Sequence, residues 1–109
     1  MTIYVGETID VIAQAVDPLT GASIIDAVGA VLFYAPGKNP SKVPADRTPD
    51  FGPVSMAYQA DIINNGSSVT GAYVAFQDTT GWAAGKWSYK VTLTSSYDTW
   101  EYGTFTLSA

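Results

Sequence analysis

Between Lys86 and Thr94 polar and apolar residues alternate without a break: Trp87, Tyr89, Val91 and Leu93 take one set of positions, Lys86, Ser88, Lys90 and Thr92 the other. A period of two sends the two sets to opposite faces of an extended strand, whereas a helix would mix them around its circumference. The pattern returns at Thr8–Val16, where Ile9, Val11, Ala13 and Ala15 oppose Asp10 and Gln14. It returns once more at about Trp100–Leu107, where Tyr102 and Thr104 oppose Gly103, Phe105 and Leu107. Val28–Ala35 is instead a nearly continuous apolar run rich in residues that favour a pleated surface. Such a run suits a strand near a sheet centre or one covered on both faces.

The punctuation agrees with this reading. A short lead at Thr2–Val5 is broken by Gly6-Glu7, and Asp17-Pro18-Leu19-Thr20-Gly21 combines a Pro that pre-sets φ with a Gly free to take positive φ. Val54–Ile63 and Val69–Gln77 flank Asn64-Asn65-Gly66-Ser67-Ser68, and Asn-Gly between such runs signals a hairpin. The expectation is an all-β sandwich of about seven antiparallel strands. With 109 residues, 47% of them hydrophobic, the chain has material for one core and reads as a single domain over 1–109.

Pro36–Pro53 stands apart. It holds five of the six prolines and, with Lys38, Lys42 and Arg47, three of the five basic residues. Connections this long are uncommon in a compact domain unless they are functional or disordered, and dense proline favours an extended arm. In a chain of net charge −5 the basic arm is the candidate contact element, with Lys38, Lys42, Arg47 and Phe51 as its candidate partner-binding residues. The competing reading is an ordinary solvated loop.

Cysteine and histidine are both absent, which removes disulfides, thiol nucleophiles, thiolate metal sites, imidazole bases and most zinc sites. Carboxylate pairs remain, but Asp10, Asp17, Asp26, Asp78 and Asp98 fall mostly at turns or strand ends, where Asp caps backbone. Asp17 and Asp78 could meet at one end of a sandwich, although no Asp-x-Asp-x-Asp run supports calcium binding. No glycine-rich loop opens a strand-to-helix unit for phosphate. The expectation is no enzyme, no cofactor and no metal. The acidic balance argues against nucleic acid, and no apolar run approaches the ~18 residues of a membrane span. The N-terminus lacks a signal-peptide pattern, and Met1 reads as the initiator of a complete protein made in the cytoplasm. Among the aromatics, Trp87 and Tyr89 are expected in the core, while Trp82 and Trp100 could be exposed stacking platforms for sugars or could cap the ends of the sandwich.

Thr70-Gly71-Ala72-Tyr73, then Gly85-Lys86-Trp87-Ser88-Tyr89, then Glu101-Tyr102-Gly103-Thr104-Phe105 follow one another in that order. This series resembles the closing strands of small immunoglobulin-like structural proteins of tailed bacteriophages, with their Thr-Gly-x-Tyr, Gly-x-Trp-x-Tyr and Gly-x-Phe runs. Gly6-Glu7-Thr8, Asp17-Pro18 with Thr20-Gly21, and Ala35-Pro36-Gly37 fit the same family, while Pro36–Pro53 is longer than the short turn expected there. Tyr89 takes the position of the cysteine in antibody-type domains, so the inter-sheet disulfide is absent. The resemblance implies an immunoglobulin-like β-sandwich and a virion structural protein assembled in the host cytoplasm. The first role it implies is capsid decoration (cement), with the major capsid protein lattice or other virion proteins as partners, as a monomer or a homo-oligomer. A tail, neck or fibre-associated component is the second role, and a carbohydrate-binding module is the alternative from another class.

Overall fold

The computed structural model describes residues 2–38, 48–64, 67–95 and 98–109. Seven strands form where the alternation, the apolar run, the short lead and the hairpin flanks predict them: β1 (Thr2–Tyr4), β2 (Thr8–Gln14), β3 (Val28–Tyr34), β4 (Phe51–Asn64), β5 (Ser67–Asp78), β6 (Gly85–Thr94) and β7 (Asp98–Ser108). The described residues contain no helix. The strands lie in the order β1-β7-β6-β3-β4-β5-β2, so β3, the apolar run, takes the middle place. There, main-chain groups are bonded on both sides, and Val31 and Phe33 are fully shielded from solvent.

β4 carries the chain from one half of the sheet to the other. Its first residues pair with β3 (Val54 with Val31, Met56 with Gly29), and from Ala57 onward it pairs with β5. The sheet thereby folds over, and the inward residues of both halves meet in one core. Ile9, Val11, Ala13 and Ala15 of the β2 segment and Tyr73 and Ala75 of β5 pack with Val31, Phe33, Trp87, Val91, Leu93, Phe105 and Leu107. Each large member contributes roughly 1.5–3 kcal/mol by leaving water. The inward faces of β2, β6 and β7 are those that the alternation predicts. Trp87 is buried as expected, and Tyr89 is half-buried at the margin.

The strands form one seven-stranded mixed sheet, so the expectation of antiparallel strands throughout is corrected. β1 runs parallel to β7, pairing Thr2 with Thr106 and Tyr4 with Ser108, while the other neighbouring pairs are antiparallel. Side-chain alternation specifies which residues make a strand but carries no sign for the direction of its neighbour. The chain then leaves the β7 edge through a turn at Gly6 (φ +95°) and enters β2 on the opposite half of the sheet. Thr79, wholly buried, holds this crossing: its hydroxyl donates to the Glu7 carbonyl at 2.6 Å and accepts from the Gly6 N–H at 3.1 Å.

The Asp17–Gly21 turn forms as predicted, with the Gly21 N–H donating to the Asp17 carbonyl at 2.8 Å and Gly21 at φ +73°. Beyond it, Tyr73 pins the β2–β3 connection to the core. Its buried hydroxyl donates to the Ile24 carbonyl at 2.6 Å and accepts from the Ala27 N–H at 3.0 Å. β4 and β5 pair antiparallel as far as Asn64 with Ser67, as the predicted hairpin requires.

Candidate functional site

The core-facing positions of β6 dictate what the other face of that strand presents. With Trp87, Val91 and Leu93 turned inward, Lys86, Ser88, Lys90 and Thr92 point outward. β7 runs antiparallel beside it and sets Thr106 opposite Lys86, Thr104 opposite Ser88, Tyr102 opposite Lys90 and Trp100 opposite Thr92. Directly opposed and diagonal neighbours on one face are within reach of long side chains. The Lys90 ammonium therefore lies 4.5 Å from the centre of the Trp100 ring and 5.9 Å from that of Tyr102, a cation held against two π-faces. Trp100 is 62% exposed and Tyr102 48%.

Gly103 sits between these outward residues, and the Tyr89 ring opposite folds directly over it. A β-carbon at position 103 would collide with that ring. Glu101, also outside the outward row, has its carboxyl pushed above the usual range by partial burial. Burial and, second, the Glu101 charge push the Tyr89 phenol up as well.

The base of the proline-rich arm forms a wall along this face. Asp50 is its fastening: its backbone N–H donates to the Phe33 carbonyl at 2.8 Å, and its carboxylate accepts from the Ala35 N–H at 2.7 Å. The same carboxylate pairs with the Lys38 ammonium at 3.2 Å, and that ammonium also donates to the Thr48 carbonyl at 3.3 Å. Pro36, Gly37 and Lys38 are thereby placed against Lys86, Ser88, Tyr102 and Thr104, enclosing an open groove of about 620 Å³. A groove of this size is within the range of ligand-binding clefts.

Of the four residues singled out in the arm, Lys38 does line this groove, tied to Asp50 and Thr48. Lys42 and Arg47 lie outside the described residues. Phe51 stays partly exposed while it packs against the core. It is the first residue of β4, and its ring stacks on Trp82 at 4.3 Å, which in turn stacks on Trp87 at 4.5 Å. Phe33 meets Trp82 edge-on at 5.2 Å, and the Trp87 indole N–H donates to the Ala83 carbonyl at 2.8 Å. Phe51 is thus the outer leaf of an aromatic cap on the core, because an apolar ring next to a buried indole gains more there than in water. Trp82, at 6% exposure, belongs to this cap and offers no platform to a sugar, whereas Trp100 is open.

Asp17 and Asp78 do not meet. Asp78 pairs with Thr8 at the start of β2, and Asp17 follows the end of the same strand. Each caps its own turn: Asp17 accepts from the Leu19 N–H at 2.8 Å, Asp78 from the Thr80 N–H at 2.8 Å and hydroxyl at 2.6 Å. These bonds from Thr80 hold the Asp78 carboxyl below its ordinary range. Sequence reasoning left Lys86, Lys90, Tyr102, Ser88 and Thr104 out of the site. The alternation did place Lys86, Ser88 and Lys90 on one face, but their alignment with the arm base arises from pairing between distant strands.

Comparison with protein-family models, with curated proteins and with solved structures finds no significant match.

Proposed function

We propose that this chain is a non-catalytic binding module that attaches to a larger protein assembly through the outer face of β6 and β7 and the base of its arm. The observation that carries the reading is the placement of charge. On a chain of net charge −5, the three described basic residues, Lys38, Lys86 and Lys90, gather at one face beside the exposed rings of Trp100 and Tyr102. Exposed Tyr and Trp are enriched in contact surfaces, and the lysines beside them give this face a charge that a partner of opposite sign would complement. The inward faces of the strands share one core, which suits a subunit that must stay folded before it assembles.

The architecture we propose is immunoglobulin-like. In favour of it, β2 neighbours β5, while β3, β6 and β7 are successive neighbours. That is the B–E and C–F–G pairing of the class. Together with the resemblance of the closing strands to bacteriophage structural proteins, this directs the role to a virion, as a capsid decoration protein on the major capsid protein lattice. Many symmetric sites on such a shell supply avidity, so a single contact can be weak. A tail, neck or fibre position is the second form of the same reading. Quantitative mass spectrometry of gradient-purified particles, scaled to the major coat protein, tests it. One copy per coat subunit or per three supports decoration, a few copies per particle support tail or neck, and absence from particles refutes the virion role.

A further inference from the structure

The groove between the arm base and β6–β7 is rich in donors, and the described residues that line it, Pro36, Gly37, Lys38, Lys86, Ser88, Tyr102, Gly103 and Thr104, include no acid. The side chains of Lys86, Ser88 and Thr104 have no hydrogen-bond or ion-pair partner among the described residues. Asp50, the acid at the arm base, is already engaged by Lys38 and the Ala35 N–H. One free ammonium and two free hydroxyls therefore converge with Lys38 on a space that presents positive charge on an acidic protein.

We propose that this groove, continued along β6 to Lys90 opposite its lining residue Tyr102, is the docking site for an extended acidic peptide segment of a partner protein, with Lys86 and Lys90 receiving two of its carboxylates. The proposal rests on the reading of the chain as a protein-binding module and names the chemistry of the partner. Lys86 and Lys90 are four residues apart on one face of a strand, about 13 Å at ~3.3 Å per residue. An extended peptide lying along β6 has the same rise, so acidic side chains at its own i and i+4 positions reach both ammonium groups. Ser88, midway between them, and Thr104 beside it offer hydroxyls to the carboxylate oxygens or main chain in between. A saccharide fits less well, because the Lys90 ammonium already occupies a face of the Trp100 ring on which a sugar would stack.

Titration of the full chain with a hexaglutamate peptide, followed by amide NMR shifts and calorimetry, tests the proposal. The expected result is binding that weakens with added salt, with shifts confined to β6, β7 and residues 36–38. Lys86→Gln and Lys90→Gln should each weaken it roughly three- to fivefold, the effect of losing one partly solvated charge pair. Adding Thr8→Lys on β2 to Lys86→Gln restores net charge without restoring the groove, and binding should stay weak. Recovery of affinity in that double variant, or equal binding of hexaglutamine, would overturn the proposal. Tighter binding of polygalacturonate than of hexaglutamate would overturn it in favour of an acidic glycan. Loss of peptide binding by a chain still found on purified particles refutes the groove assignment alone. Peptide binding by a chain absent from particles refutes the virion role alone.

Discussion

Removing one oxygen atom tests how the β2–β3 connection is held. Tyr73→Phe deletes the hydroxyl that donates to the Ile24 carbonyl at 2.6 Å and accepts from the Ala27 N–H at 3.0 Å. The ring itself stays, packed 5.5 Å from Tyr58 and 1% exposed. Each bond contributes about 0.5–1.5 kcal/mol net. Ile24 and Ala27 are only partly buried, so water can reach the groups left behind and the higher desolvation penalty does not apply in full. The expected loss is therefore about 1–3 kcal/mol, or roughly 4–12 °C in Tm for a domain of this size. Urea denaturation should show a lower midpoint with an unchanged m-value, since the surface exposed on unfolding is the same. Amide exchange should accelerate in residues 17–27 while β6 and β7 keep their protection. A loss below about 0.3 kcal/mol with unchanged exchange would refute the reasoning and show that the core does not hold this loop through the hydroxyl.

The two indoles on neighbouring strands should respond very differently. Trp87→Ala, at a buried position, is expected to cost about 3–5 kcal/mol, whereas Trp100→Ala should cost less than about 1 kcal/mol, mainly the contact with Lys90. Equal losses in chemical denaturation would contradict the inward and outward assignment. The two shifted carboxylates give opposite pH signatures. Asp78 is held below its ordinary range by Thr80, so its contribution is present above the unfolded pKa of about 3.9 and is lost as pH falls through the folded value. Asp78→Ala should therefore lower Tm at pH 7 and leave it unchanged near pH 2. Glu101 is raised by burial, so its folded form is favoured below the unfolded pKa of about 4.3, and that advantage is lost as pH rises through the folded value. Glu101→Gln should raise Tm at pH 7 and converge with the parent near pH 3; thermal melts at both pH values check the pair.

Local chemistry settled much of this molecule in advance. Alternation in β2, β6 and β7 is a property of neighbouring residues, and it put Ile9 with Val11, Val91 with Leu93 and Phe105 with Leu107 on the shared faces that the structure buries. The Asp17–Gly21 turn and the β4–β5 hairpin were equally local, because Pro, Gly and Asn act on their own backbone. Tertiary structure alone decided what lies across from what. The parallel pairing of β1 with β7, the stacking of Phe51 on Trp82, the Tyr89 ring over Gly103 and the alignment of Pro36–Lys38 with Lys86 and Tyr102 join residues far apart in the chain. The physical reason is that side-chain period specifies which face of a strand is buried but leaves its neighbour and direction open. Those are chosen by the core as a whole, so the candidate contact face came into view only when β6, β7 and the arm base were brought together.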